Sequence, residues 1–202
     1  AVAATLPALS DDLKASTNQY DVTIEVQGQN IPMQLTREVK KEGTQWVIKD
    51  ASTSAMGNSE DVVYLENMTP VKRVITQGGQ TFEINYTKDT ISLTMMGKTK
   101  DMPVEGAYLT NGAGYDMLVA RLPLADGYET SFYSLDVMSQ KLNTMKLEVT
   151  GKENNQWKVV ISNVENDKDS TTMLIDVDKK AASQIEQVVP AMGNAKITTK
   201  LK

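Results

Sequence analysis

Tyr115-Asp116-Met117-Leu118-Val119-Ala120-Arg121-Leu122-Pro123-Leu124-Ala125-Asp126-Gly127-Tyr128 is the one stretch of this chain in which the apolar period changes. Tyr115, Leu118, Val119 and Leu122 fall at i, i+3, i+4 and i+7, one face of a helix. Pro123 stops it, because proline lacks an N–H and disfavours α geometry in the residue before it. Asp126-Gly127 turns the chain, and a period of two holds on both sides of the stretch. The spacing predicts a helix over 115–122, about two turns long, closing or plugging one side of a sheet. A helix that short is marginal alone and needs its apolar face packed on strands. Leu118 and Leu122 are therefore expected against strand residues such as Leu147. Nothing in the stretch specifies a reaction.

Working upstream, Tyr20, Val22, Ile24 and Val26 alternate with Asp21, Thr23, Glu25 and Gln27, the pattern of a half-buried strand. Gly28-Gln29-Asn30 turns it, and Ile31, Met33 and Leu35 mark the return strand. Pro32 belongs at that strand's start or at an edge. Further strands are read over 45–49 and 62–65, with a break at 57–61. A hairpin spans 71–76 and 80–87 across Gly78-Gly79, and 90–95 alternates again. Residues 97–114, with Pro103, Gly106, Gly112 and Gly114, read as irregular.

Downstream, four sets share a face in turn: Tyr128, Thr130 and Phe132; Met145, Leu147 and Val149; Trp157, Val159 and Ile161; Met173, Ile175 and Val177. Residues 163–170 read as a polar turn, and 185–189 and 195–201 close the series. Turn signals recur about every 8–12 residues, the spacing of an antiparallel meander that curls into a sandwich or barrel. Ser10-Asp11-Asp12-Leu13-Lys14 offers a helix cap with too short a periodic segment behind it. The expected organisation is an N-terminal extension or linker over 1–19 and a single antiparallel β domain over 20–202.

Composition excludes more than it assigns. The 202 residues are 40% apolar and carry a net charge of -5. That supports a core and has the wrong sign for non-specific binding to nucleic acid or anionic membranes. Cysteine and histidine are both absent, which removes disulfides, thiolate zinc sites, Ser-His and Cys-His pairs and the commonest metal ligand. No apolar run reaches the ~18 residues of a membrane span. There is no Walker loop, zinc motif or Gly-x-Ser-x-Gly, and Gly112-Ala113-Gly114 lacks the third glycine and preceding strand of a dinucleotide loop. Asp167 with Asp169, and Asp176 with Asp178, lack the further ligands and the glycine of a calcium loop. Ser139 and Lys141 lie in a polar turn, where the buried lysine of a Ser-Lys pair is not expected. The Ala-rich start over 1–9 lacks a basic region and is not a complete signal peptide. It is expected to follow a removed signal or to be a linker from an upstream domain.

Several local motifs occur together from Tyr64 onward. Tyr64-Leu65 leads to Thr69-Pro70-Val71-Lys72-Arg73, and Gln77-Gly78-Gly79 follows as a turn. Leu122-Pro123-Leu124-Ala125-Asp126-Gly127-Tyr128 comes next. Val149-Thr150-Gly151-Lys152-Glu153 then precedes Trp157-Lys158-Val159, and Ile175-Asp176 is followed by Lys179-Lys180. This order resembles an uncharacterised family of exported bacterial β proteins, related in architecture to the periplasmic lipoprotein carrier and the outer-membrane lipoprotein receptor. That family's Pro-Ala-Gly loop before the Trp strand is replaced here by Asn154-Asn155-Gln156. The resemblance implies a mainly β fold: a single strongly curved antiparallel sheet, a half-open, lipoprotein-carrier-like barrel with one or two short helices against its concave side. It also implies a periplasmic or secreted location and no catalytic residues.

Eleven methionines stand against two phenylalanines. Methionine lines adaptable apolar surfaces as readily as it fills a core. On the cavity reading, Trp46, Phe82, Met95, Leu118, Leu122, Met145, Leu147 and Trp157 line a site for a lipid, another hydrophobic ligand or a lipidated protein partner. No metal, cofactor, nucleic acid or membrane span enters that reading. On the plain reading the same residues fill the core and the sheet faces. Two other classes stand beside it. One is an accessory or interaction domain of a larger secreted enzyme such as a peptidase. The other is a hydrolase using paired carboxylates, for which 26 acidic residues offer too many pairs to choose between without distances.

Overall fold

The computed structural model describes residues 1–202. The N-terminal meander is β1 (Ser16–Val26), β2 (Gln29–Glu42), β3 (Gln45–Ser54), β4 (Gly57–Glu66), β5 (Thr69–Gln77), β6 (Gln80–Tyr86), β7 (Thr90–Met95) and β8 (Lys98–Pro103). After α1 (Tyr115–Val119) the second meander is β9 (Glu129–Asp136), β10 (Lys141–Glu153), β11 (Gln156–Asn163), β12 (Asn166–Asp176), β13 (Ala181–Val189) and β14 (Ala195–Leu201). All fourteen strands form one antiparallel sheet, ordered β8-β7-β6-β5-β4-β3-β2-β1-β14-β13-β12-β11-β10-β9. The two meanders join where β1 pairs with β14, with Tyr20 opposite Leu201 and Glu25 opposite Lys196. The sheet is strongly curved and half-open, with the meander order that the turn spacing predicts and the open curvature that the resemblance implies.

Tight turns set this register. Gln27-Gly28, Asn67-Met68, Gly78-Gly79, Met96-Gly97 and Asn154-Asn155 are two-residue connections with positive φ at both positions. Those are type I′ turns, whose twist matches that of the flanking strands. Because a meander alternates direction, its turns sort to two ends. The upper end holds 27–28, 55–56, 78–79, 96–97, 137–140, 164–165 and 190–194. The lower end holds 43–44, 67–68, 87–89, 154–155 and 177–180.

The main core fills the lower half of the concave face. Leu118 and Leu147 are fully buried there and Leu122 nearly so, in one cluster with Val39, Ile48, Val63, Val159, Ile161 and Met173. α1 is a single turn, shorter than the periodicity predicts. Its continuation tightens into i→i+3 bonds, Arg121 N to Leu118 O and Leu122 N to Val119 O, before Pro123. It is also buried on more than one face, since Asp116 is fully buried beside Leu118 and Val119. A second short helical turn, Pro190–Met192, tops the β13–β14 hairpin with none of its residues buried. Only α1 therefore lies against the concave side.

The edges β8 and β9 do not pair. A second cluster closes the gap with side chains, Ile84, Ile91, Leu93, Met102 and Val104 meeting Leu135 of β9. Tyr108 bridges in parallel to Tyr133. Residues 1–15 form a strap: Ala3 N donates to Ser131 O and accepts at its own carbonyl from Ala107 N, and Leu13 is buried in the main core. Asp12 accepts from Arg121 and Lys180.

Several strand readings change, and β1 already starts at Ser16, inside the expected 1–19 extension, because Ser16 to Gln19 pair with Thr36 to Val39 of β2. β8 lies within the stretch read as irregular, and only its Met102 is buried, so an edge strand carries no alternation to read. β12 begins at Asn166 inside the expected polar turn, because Ser170 pairs with Ser162 of β11 and Val188 of β13. β4 starts at Gly57, as Ser59 stands opposite Ser52.

Candidate functional site

Directly above the core, four consecutive strands each turn a charged side chain inward: Arg37 of β2, Asp50 of β3, Asp61 of β4 and Arg73 of β5. Register sets the row, with Arg37 opposite Asp50 and Asp50 opposite Asp61. Arg37 Nε and Nη2 donate to the two oxygens of Asp50 at 2.8 and 3.0 Å. Arg73 Nε and Nη2 donate to the two oxygens of Asp61 at 3.1 and 2.9 Å. Each arginine also reaches the segment that plugs the sheet. Arg37 Nη1 donates to Asp116 Oδ1 at 2.7 Å, and Arg73 Nη1 to Asn111 Oδ1 at 2.8 Å. The other oxygen of Asp116 accepts from Ala182 N of β13 at 2.8 Å. Residues 111–116 are thereby clamped between the two meanders.

The clamp is tight and largely dry. A Cβ at Gly112 would lie 2.3 Å from Arg73 Nε, so only glycine lets the backbone pass. Arg37, Arg73 and Asp116 are all more than nine-tenths buried. Burial opposes the charge on Arg37, but Asp116 and Asp50 outweigh it and hold the guanidinium well above its ordinary value. Arg73 is raised in the same way, with Asp61 outweighing burial. Burial pushes the Asp50 carboxyl up while Arg37 pulls against it. Such pairing is what makes buried charge tolerable.

Above the row the concave face is open. One lobe of about 430 Å³ is lined by Tyr20, Leu35, Ser52, Ser59, Ile185 and Ile197. A second of about 410 Å³ is lined by Phe82, Val137, Met145, Thr171 and Val189. The lobes share Ile75, Gln77, Asn111, Tyr115 and Gln187, so they form one groove with the clamped segment as its floor. Burial, reinforced by Asp169, pushes the Tyr115 phenol upward and keeps it neutral. Two wall atoms have no partner in the protein: Ser134 Oγ of β9 and Asn143 Oδ1 of β10. They are cross-strand neighbours, each more than nine-tenths buried.

The residues singled out from the sequence fall in four places. Phe82 and Met145 line the groove. Leu118, Leu122 and Leu147 sit beneath the charged row, where the concave volume is filled by α1. Trp46 and Trp157 lie beside lower-end turns, far from the groove, under the ammonium groups of Lys41 and Lys152. Trp46 Nε1 donates to Asp11 of the strap. Met95 lies in a separate hollow beside Lys98 and Lys100, with its sulfur accepting from Gln140. The charged row, Asn111, Ser134 and Asn143 were not among them. The signal for the row was a charged residue at an inward parity: Arg37 shares a face with Leu35 and Val39, and Asp61 with Val63.

The acidic pair a hydrolase would need is present in outline, since Asp50 and Asp61 face one another. Both oxygens of each are engaged by an arginine, which leaves neither poised to move a proton. No group of three or more acidic, histidine or cysteine side chains is arranged to hold a metal ion. No helix is long and apolar enough to cross a membrane. No family model matches the sequence, and no curated protein matches it. Among solved structures, the chain is similar to a DUF1089 family protein from Pseudomonas aeruginosa at 10% identity. The match covers 88% of this chain and 94% of that one with a TM-score of 0.34, a likeness from which neither ligand nor role transfers.

Proposed function

We propose that this is a non-enzymatic, exported bacterial domain that binds an amphipathic ligand in the upper groove, free or as the lipid of a lipidated partner. The wall of the second lobe carries this reading. There, apolar Ile75, Phe82, Met145 and Val189 line one wall together with polar Ser134, Asn143 and Thr171. Each methylene buried there adds about 0.8 kcal/mol. The lobes fall in the ~300–1,000 Å³ range of small-molecule sites. The lipoprotein-carrier-like relationship and the periplasmic or secreted location belong to the same proposal, supported by the motifs from Tyr64 onward and by the half-open barrel.

Native mass spectrometry of protein purified from a bacterial host tests the reading. It is paired with displacement of the uncharged probe N-phenyl-1-naphthylamine by a long-chain alcohol. Bound lipid-sized mass and displacement are expected, both reduced at least tenfold in Ile75→Trp, which fills the groove. Absence of both in the native chain would overturn it. Fractionation of the host checks the location separately.

A further inference from the structure

The two ends of the barrel differ in chemistry. Every large apolar side chain that is strongly exposed lies on an upper-end turn: Met56, Met96, Met138, Val164 and Met192. They occupy five of the seven upper turns, and the other two are Gln27-Gly28 and Gly78-Gly79. Among all upper-turn residues Glu165 alone is charged. The lower end is the reverse. Its turns, counted the same way, carry Lys88, Asp89, Asp178, Lys179 and Lys180, and its one turn methionine, Met68, is buried.

We infer that the upper rim docks on the water–lipid boundary of a bilayer, with the groove opening toward the membrane. Neighbouring hairpin tips are two strands apart, about 10 Å. Apolar tips at that spacing form no contiguous dry patch, which the core of a protein interface requires. Each can instead enter the headgroup–acyl boundary on its own, and methionine adapts to that disordered layer. Turn tips almost free of charge meet little desolvation penalty there, with Lys98, Asp136, Lys141 and Lys196 set back behind them on the water side, whereas the charged lower turns stay in water. The net charge of -5 selects against anionic lipid, so the fitting surface is zwitterionic. Continuity supports the orientation, because the 137–140 tip contributes Val137 and Met138 to the groove wall. The inference stands on the rim and does not depend on what the groove holds.

Co-sedimentation with phosphatidylcholine vesicles tests it, comparing the native chain with Met56→Ser/Met96→Ser/Val164→Ser/Met192→Ser. These four lie on exposed turns, so the fold and probe binding in the groove should persist, and circular dichroism verifies the fold. The partition coefficient is expected to fall at least tenfold. In a Met56→Trp variant, brominated phosphatidylcholine should quench the new tryptophan and leave the emission of Trp46 and Trp157, at the lower end, unchanged. Native protein that does not sediment with vesicles overturns the inference. So does sedimentation indifferent to the four substitutions, or a rim-dependent self-association without vesicle binding. Probe binding that survives such a failure leaves the ligand-binding reading intact, and its loss with vesicle binding intact removes only that reading.

Discussion

Asp116→Ala should be among the most damaging single substitutions in this protein. It leaves the buried Arg37 with Asp50 alone and strips Ala182 N of its acceptor. Removing one partner of a buried ion pair costs about 3–5 kcal/mol, and orphaning a buried N–H about 1–3 kcal/mol. One carboxylate serves both partners, so the penalties overlap, and the expected loss is about 4–6 kcal/mol. Against a domain stability of about 5–15 kcal/mol, that approaches unfolding. Asp116→Asn keeps the shape and one acceptor, and should lose about half as much. The assay is urea denaturation at neutral pH, followed by circular dichroism and tryptophan fluorescence, with the m-value checked for constancy. The cycle with Arg37→Met isolates the pair, and the double variant should fall short of the summed losses by about 2–3 kcal/mol. A loss under about 1 kcal/mol for Asp116→Ala, or strict additivity in the cycle, would refute the clamp as the device that seats the plug.

Two further expectations follow from geometry and charge. Gly112→Ala drives a Cβ to 2.3 Å from Arg73 Nε, and Gly114→Ala drives one to 2.4 Å from Ile48 Cδ1 at a φ of +84°. Overpacking costs about 1–3 kcal/mol and the left-handed conformation about 1–2 kcal/mol, so Gly114→Ala should melt well below Gly79→Ala, where φ is +79° and the Cβ meets nothing. Equal melting temperatures for the two would sink the steric argument. Asp12 tests the strap: its hydrogen bond from Lys180 lowers its pKa to about 2, against some desolvation and with Arg121 assisting. A lowered folded-state pKa adds stability that is complete above the ordinary carboxylate range and is lost as pH falls from about 4 toward 2. The pair is partly exposed, so Asp12→Asn should be only about 0.5–1 kcal/mol less stable at neutral pH. That gap should close over the same window in thermal melts, and a constant gap would contradict it.

Hairpins with apolar alternation and glycine or asparagine turns were legible because both signals are local. Tyr20 to Val26 and the Gly78-Gly79 hairpin are examples. The polar extensions were not, since Ser16 to Gln19 and Asn166 to Ser170 are strands only because neighbours pair with them. The lining residues were half legible. Hydrophobicity marks Phe82 and Leu147 alike, and only the position of α1 decides that one faces open space and the other a packed core. Parity alone turns Arg37 and Asp61 inward, but assembling the charged row required register across four strands. Ser134 and Asn143 required knowing that β9 and β10 form the wall.

The β1–β14 seam has a consequence for how the molecule is made. Each hairpin forms from neighbouring residues, but the seam joins strands at opposite extremes of the chain, and such non-local pairing is slow. During folding β1, 11 residues long, waits with one side unpaired until β14 comes to pair with it. An exposed strand edge is a template for pairing with other chains. Yield in the cell should therefore respond to holdase chaperones more than to the stability of the finished barrel.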